Sequence, residues 1–591
     1  MKAIYFFLFS LCLQAATAQP LQRVAPEQVG MDSRKLMYAD EAIETAISNK
    51  DIPGAVLAVV RNGKMAYLKA YGNKRIYPNV EPMTANTIFD MASCSKSMST
   101  AVCTMILAER GKLRMLDPVS LYIPHFKNWE SEDGKEKKVI RIADLMTHTS
   151  GLPPYAPVAE LEKQYGSPNP DGLMEYIATC KRDFKPQTDF QYSCLNFITL
   201  QHIIETISGQ SLRDFARENL FDVLGMEHTD YLPCQRDKDG NWITIVDKGT
   251  RKQGHKENNV ANSQFSIRNS QLNNIAPTEK QPNGQVLCGQ VHDPLARVMN
   301  GGISGNAGVF SCADDIAILC AALQNGGEWN GRRILSPLGV KAMRTVPRTT
   351  ASLGRTLGWD NFTAYASNNG DLFGPNTYGH TGYTGTSIII DPDNDTSVIL
   401  LINAVHPEDG HSVVRLRSLV ANAVAASIYP IPRIYTDHYY KRFLQFMDEP
   451  AITSKDIVML GNSLTEGGGD WSARLGKKNV RNRGIIGDEV MGIYDRLHQI
   501  LPGHPAKLFL LIGVNDISHD LAPDRIRMTV ERIRKESPDT KLYLQSLLPF
   551  NESFGRYKKL TGKTDMVPEI NSRLEAFAKE EGIAYINLFP L

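Results

Sequence analysis

A change of pattern near Tyr429 constrains this 591-residue chain most. Before it, β-branched runs come in pairs joined by tight turns. After it, five short apolar runs, "DIVML", "KNVRNRGI", "KLFLLIG", "KLYLQSLL" and "IAYINLF", alternate with helical patterns. Such alternation is the signature of a doubly wound parallel sheet. The chain is also too long for one hydrophobic core, so two domains are expected. Between them "YPIPRIYTDHYYKRF" has the prolines and exposed aromatics of a connector. The expected layout is a first domain over residues 19–430, a linker over 431–455 and a second, α/β domain over 456–591.

The first domain reads as α+β. Ser33 to about Ser48 has a helical pattern, and "GAVLAVVRNGKMAYLKAYG" reads as two strands joined by an Asn62-Gly63 hairpin. Its continuation lies far away, in "TGTSIIIDPDNDTSVILLINAV", with a turn at Pro392 to Asp395 and a helical stretch from Val413 to Ile428. The middle carries helical patterns, Met98 to Arg110 and Leu195 to Ser208, and a polar tract from Gln235 to Gln290. An antiparallel sheet built from both ends, with a helical lobe inserted between them, accounts for this order. The polar tract is expected to shape the pocket.

With 65 basic against 64 acidic residues, no global field attracts nucleic acid or anionic membrane, and small near-neutral substrates fit better. The first residues combine Lys2, a short apolar run and Ala16-Thr17-Ala18, the pattern of a cleaved secretory signal over residues 1–18. Export to the periplasm or medium is expected, and no later segment is long and apolar enough to span a membrane. Eight of the nine cysteines follow that signal, at irregular spacing, and are expected as partly buried free thiols. No HExxH pair or C-x-x-C pairing suggests a metal, and no cofactor is expected.

"FDMASCSK", Phe89 to Lys96, sets two serines and a cysteine near one lysine. If the segment opens a helix, Ser93 and Lys96 share a face while Cys94 and Ser95 point elsewhere, which selects Ser93 as nucleophile. A helix N-terminus also favours negative charge on that oxygen. Lys96 needs a depressed pKa to take the serine proton. "PMTANTIFDMASCSK" resembles the first motif of the serine β-lactamase and penicillin-binding superfamily, on its class C, D-aminopeptidase and carboxylesterase side. "FQYSCLNFITLQHIIETISG" resembles the second motif and "GHTGYTGTSIIIDP" the third, while "DLMTHTSGLP" and "GGISGNAGVFSCADDIAIL" match accessory stretches. The similarity covers roughly residues 25 to 430.

That resemblance implies acyl transfer through a serine ester: Ser93 attacks, Lys96 and Tyr192 move the proton, and backbone N–H groups of Ser93 and Tyr383 hold the oxyanion. His380, Thr381 and Gly382 replace the lysine version of the third motif and line the pocket. The chain departs from the pattern at Cys194, where many relatives carry an asparagine that helps hold the lysine, so simple esters are favoured over β-lactams or D-amino peptides. Asn196 is two positions away, on another helix face. His148 and His292 are expected to be structural.

In the second domain "DIVMLGNSLTEGG" places Ser463 just after a strand, where open α/β sheets bind ligands. With "NRGIIGD" and "LLIGVND", it resembles the first three blocks of the SGNH (GDSL-like) hydrolases, Asn462 standing for the usual aspartate. The resemblance implies Ser463 as nucleophile, with Gly487 N–H and the Asn515 side chain as oxyanion donors. Family members carry an Asp-x-x-His block after the last strand, whereas this sequence stops at "YINLFPL"; Asp516 and His519 have that spacing inside the third block. A domain lacking its final helix, with one sheet face uncovered and crippled catalysis, is expected. The leading reading is an exported serine hydrolase fused to an acylesterase-like domain, acting on a small ester or acylated carbohydrate. The alternatives are a peptidoglycan enzyme and a non-catalytic binding or sensor protein.

Overall fold

A computed structural model describes residues 20–245, 269–428, 435–517, 522–551 and 560–589. The leader 1–18, part of the polar tract (246–268) and His519 lie outside the described residues. The chain divides into two compact units, Met1–Tyr429 and Pro430–Leu591.

Unit 1 is built on a six-stranded antiparallel sheet whose strands come from both ends of the unit. Its order is Tyr378–Thr381, Ser387–Asp391, Thr396–Ile402, Gly54–Arg61, Lys64–Arg75 and Glu81–Pro82. The central join pairs Leu57 with Leu400 across some 340 residues of chain. Asn62 and Gly63 have φ of 50° and 67°, the left-handed pair that a two-residue hairpin requires, which explains why asparagine and glycine stand there. Strand Gly54–Arg61 is buried along its whole length. Leu57 and Val59 pack with helices Ser33–Ser48 and Val414–Ser427, while Val56, Ala58 and Val60 join the core of the helical lobe. All eight cysteines among the described residues are free.

A smaller three-stranded sheet, Phe89–Asp90, Val309–Ser311 and Asp230–Tyr231, carries the first motif into the lobe. Behind it Lys96–Ala101 winds as a π-helical turn and continues as helix Val102–Glu109. Such turns are frequent at functional sites. Helix Cys194–Ser208 brings the second motif alongside, and the Ser193 hydroxyl before it donates to the Pro153 carbonyl.

Unit 2 contains a five-stranded parallel sheet in the order Val480–Gly484, Ile457–Gly461, Lys507–Leu511, Lys541–Gln545 and Ala584–Ile586. These are the five apolar runs of the sequence. Helices Val490–Arg496, Ala522–Glu536 and Met566–Glu580 cover one face over Leu508, Leu510, Leu542 and Leu544. On the other face Phe509 and Tyr543 stack at 4.5 Å and stay half-buried.

The expected connector 431–455 contains a helix, Asp437–Asp448, capped by the Thr436 hydroxyl, which accepts from Tyr439 N at 3.2 Å. Tyr439 and Phe446 are buried there against Ile485. Their seven-residue spacing, with Phe443 between, is a helical stripe, and it outweighs the prolines at 430 and 432, which precede the helix.

Asp488 and Arg496 form an ion pair at 2.8 Å with both side chains fully buried. Asp488→Ala strands a buried guanidinium. It should destabilise unit 2 by about 3–5 kcal/mol, read from the unit 2 transition in urea.

Candidate functional site

Strand Phe89–Asp90 ends in a strained turn that presents Ser93. Ala92 sits at φ 44°, a region that disfavours any residue with a Cβ. Asp90 holds it there: its Oδ1 accepts from Ala92 N at 2.9 Å, and its Oδ2 accepts from His292 N at 2.7 Å. Asp90 is buried, and desolvation raises its pKa despite these two donors.

Lys96 has no exposed surface, and its ammonium donates to Ser93 Oγ at 3.0 Å and to the Asn306 carbonyl at 2.8 Å. It also lies 5.0 Å from the centre of the Tyr192 ring. The Tyr192 hydroxyl is buried without a hydrogen-bond partner. Burial raises the phenol's pKa, partly opposed by the Lys96 charge. Burial works to lower the Lys96 pKa, but Cys194 and Tyr192 outweigh it and leave the lysine above its ordinary value. The expected depressed pKa is therefore not found, because Cys194 and Tyr192, whose ionised forms attract the ammonium, outweigh its burial.

The third motif closes the opposite wall. Gly382 packs so closely on the Met91 carbonyl that a Cβ would come within 2.6 Å of it, so only glycine fits. Arg417 clamps this turn through the Gly382 and Thr386 carbonyls at 2.8 and 3.0 Å. Tyr383 follows, stacked on His292 at 5.8 Å. Among the described residues, no hydrogen bond engages the backbone N–H of Ser93 or of Tyr383. His380 Nδ1 donates to the Thr381 carbonyl at 2.9 Å, which leaves Nε2 as a buried acceptor without a partner. Burial and the Arg355 and Lys96 charges hold its pKa well below the usual imidazole range, so the ring is neutral.

Ser93, Tyr192, Thr381, Gly382 and Tyr383 share a cavity of about 620 Å³ with His380. Its remaining walls come from residues 355–369 and 409–417. The described parts of the tract Gln235–Gln290, residues 235–245 and 269–290, do not line it, and Ile275 and Leu287 lie buried in the core instead. Cys194 is buried beside Lys96. Asn196 is engaged elsewhere, bonded to Ser150 and His148, so it does not replace the missing asparagine. The Asn306 carbonyl holds the lysine instead. His148 is fully buried against the Tyr192 ring at 4.5 Å and accepts from Ser193 N.

Residues 39–422 match the profile of the beta-lactamase family. The chain belongs to the beta-lactamase family. This family of serine hydrolases accounts for the fold of unit 1, and residues 459–591 match the GDSL-like lipase/acylhydrolase family. An Escherichia coli (strain K12) protein named "Putative D-alanyl-D-alanine carboxypeptidase" is 29% identical over 67% of this chain and 88% of its own length. A Bacillus subtilis (strain 168) N-acetylmuramyl-L-alanine amidase is 30% identical over 70% of this chain and 95% of its own. Among solved structures, the hydrolase EstCE1 covers 66% of this chain and 99% of its own, at 22% identity and a TM-score of 0.48.

In the GDSL-like unit of this beta-lactamase family protein, Ser463 opens helix Ser463–Gly467 directly after strand Ile457–Gly461. Asn462 Oδ1 caps that helix through Leu464 N at 3.1 Å. Gly487 is exposed at φ 80°, and the Asn515 amide donates to the Asp488 carbonyl at 2.8 Å. Among the described residues, no histidine or carboxylate bonds the Ser463 hydroxyl. Asp516 is not available as part of a dyad: it accepts from Val490 N at 2.7 Å and pairs with Arg525. The sequence reading also missed His438, which bonds Glu466 at 2.9 Å one turn along from Ser463.

Among the described residues, one cluster has metal-ligand chemistry. His228, Cys312 and Asp315 offer ligand atoms within 4.8 Å of one another. Burial raises the Cys312 thiol's pKa strongly and Asp315 Oδ2 already accepts from His228 N and Thr229, so the set is poorly suited to a cation.

Asp90→Ala leaves two buried N–H groups without an acceptor, each worth about 1–3 kcal/mol. Unit 1 should lose about 2–6 kcal/mol in chemical denaturation.

Proposed function

We propose that unit 1 cleaves ester or small amide bonds through a covalent acyl-enzyme on Ser93. The observation that carries this reading is the Lys96 ammonium 3.0 Å from Ser93 Oγ, beneath Tyr192 and beside two unengaged backbone N–H groups. Ser93 Oγ attacks the substrate carbonyl carbon, and its proton passes to the Lys96/Tyr192 pair. The N–H groups of Ser93 and Tyr383 hold the developing oxyanion. Collapse expels the leaving group, which takes the proton back from the pair. Water repeats the sequence on the acyl-serine and releases the acid. His380 Nε2, as a neutral acceptor, holds a donor on the substrate.

The resting pair carries one proton too many for this cycle. Lys96 is ammonium and Tyr192 is phenol, both with raised pKa values, so one proton has to leave before the serine can be deprotonated. The activity therefore rises with pH.

A second reading, hydrolysis of peptidoglycan peptides or amides, is favoured by the names of the carboxypeptidase and amidase relatives. Export fits either reading and rests on the leader pattern of residues 1–18. For unit 2 we infer an SGNH-type acylesterase site on Ser463, with Gly487 and Asn515 as oxyanion donors, on short acyl groups such as those of acylated carbohydrate.

Hydrolysis of p-nitrophenyl acetate and butyrate tests the assignment. Ser93→Ala should lower kcat/KM by about a thousandfold or more, and mass spectrometry of the native protein should show an acyl adduct on Ser93. Activity lost in Ser463→Ala and retained in Ser93→Ala would move ester cleavage to unit 2.

The pH profile gives a separate test. In the native protein kcat/KM should climb about tenfold per pH unit from neutrality toward pH 9. Lys96→Arg, which cannot release its proton, should lose about 10²–10⁴-fold.

A further inference from the structure

Asp293 does not line the Ser93 cavity, yet it ties together three segments around it. Its Oδ1 accepts from Ala296 N at 2.9 Å and from Asn306 Nδ2 at 3.1 Å, and its Oδ2 accepts from the Tyr155 hydroxyl at 3.1 Å. Capping the turn Leu295–Met299 uses only the first of these bonds. Of the other two, one reaches Asn306, whose backbone carbonyl accepts from the Lys96 ammonium at 2.8 Å. Asn306 has no exposed surface, and both ends of its side-chain amide are taken, Nδ2 by Asp293 and Oδ1 by Ser304 Oγ at 2.6 Å. It meets no substrate, and its bonds fix the turn that carries the carbonyl. Asp293 also follows His292, whose backbone N–H Asp90 holds, so two successive residues serve the two sides of the site.

The charge of Asp293 acts along the same line. Besides Asp293, the titratable groups that face Lys96 are Cys194, Tyr192, His148, His380 and Cys94. Burial keeps the phenol and both thiols protonated and the two imidazoles neutral, and Arg355 faces both imidazoles and the Tyr192 ring. Against burial, Cys194, Tyr192 and then Asp293 hold the lysine above its ordinary value. The first two attract it only in ionised forms that burial disfavours, whereas Asp293 accepts three hydrogen bonds and donates none, as a carboxylate does. Around Asp293 itself stand Tyr155, Asp90, Cys194 and Arg297. Burial and Asp293 push the Tyr155 phenol up, so it stays a donor, and Arg297 donates to the Val291 and His292 carbonyls. We propose that Asp293 is a positioning residue of the Ser93 site: through the Asn306 side chain it fixes the carbonyl that orients Lys96, and its charge favours the ammonium over the neutral amine. This deepens the Ser93 reading and rests on it. Asp293 thereby sets the pH at which the serine is activated, with no contact to substrate.

Asp293→Asn removes the charge and keeps an Oδ1 that accepts from Ala296 and Asn306. Hydrolysis of p-nitrophenyl butyrate by the full chain, followed from about pH 6 to pH 10, reads the effect. The rise of kcat/KM should move to lower pH by about half to one unit, which makes the variant about three- to tenfold faster than the native protein at neutral pH. A variant that had merely lost packing would be slower at every pH. Asn306→Ala isolates the positioning part, because it breaks the link to Asp293 and leaves the charge and the backbone carbonyl. Its kcat should fall about tenfold or more with KM little changed. The pH of each rise is read within one protein, so it does not depend on what fraction of the variant is folded. Should Asp293→Asn not fold at all, Tyr155→Phe takes one donor from the carboxylate and should move the rise to higher pH by about a few tenths of a unit.

A rise at the native pH in Asp293→Asn, or in Tyr155→Phe where that is the variant that folds, overturns the proposal, and so does a native kcat in Asn306→Ala. Ser93→Ala must abolish turnover of the ester. Turnover that persists there overturns the Ser93 reading and this one together, whereas Ser93-dependent turnover with a pH profile indifferent to Asp293 overturns the role of Asp293 alone.

Discussion

A lysine ammonium without exposed surface must be ringed by acceptors, and in unit 1 meeting that need fixes how the segments around the cavity come together. Lys96 reaches the hydroxyl of its own turn and the carbonyl of Asn306, more than two hundred residues away in the chain, under the ring of Tyr192. Leaving such a charge unpaired would cost several kcal/mol. The turn at Asn306 is itself tied down: its side chain accepts from Ser304 Oγ and donates to Asp293. The nucleophile turn, the second helix and the Ser304–Ala307 loop are thus held by one cation, and their mutual placement is the site.

Opposite the lysine, a network of a different kind fixes the oxyanion side. Asp90 grips the strained Ala92 with one oxygen and the His292 backbone with the other, and the His292 ring lies flat against Tyr383. Its own carbonyl accepts from Thr384, one residue beyond Tyr383. A single buried carboxylate therefore links both unengaged N–H groups. Desolvation disfavours its ionised form, and the two bonds it accepts from backbone N–H groups oppose that penalty without cancelling it. An aspartate before a nucleophile turn is in this sense part of the backbone geometry, and its carboxyl has no need to meet substrate.

What the sequence made legible follows the range of the interactions involved. The Asn62-Gly63 hairpin, the sheet closed from both ends and the five parallel strands all rest on local pattern, and all appear in the structure. The serine, lysine, tyrosine and histidine that the three motifs single out come together around one cavity. The Asn306 carbonyl was not readable, because a backbone oxygen leaves no mark in residue type. The raised Lys96 pKa was not readable either, since it depends on how closely the fold brings Cys194 and Tyr192 to the ammonium. The missed helix Asp437–Asp448 was an error of weighting, prolines being given more force than an aromatic stripe at helical spacing.

The two units show how unequally a hydrolase site is distributed between fold and side chains. In both, a strand delivers a serine to the start of a helical segment, and in both the groups proposed to hold the oxyanion are mainly backbone N–H groups, which the course of the chain sets. Ser463 opens its helix, and Asn515 donates to the carbonyl of Asp488 next to Gly487, although no base is hydrogen-bonded to Ser463 among the described residues. A base is different, because it depends on one side chain with a suitable pKa at one distance. In unit 1 Lys96 has the distance by being three residues from the serine on the same turn, although its pKa is raised, so the nucleophile and the proposed base are placed by a single local structure. In the SGNH arrangement the base comes from a separate segment, and the serine turn can form without it. Asn462 bears this out physically: its carbonyl oxygen caps the Ser463 helix as an aspartate oxygen would, so the change from aspartate leaves the turn intact.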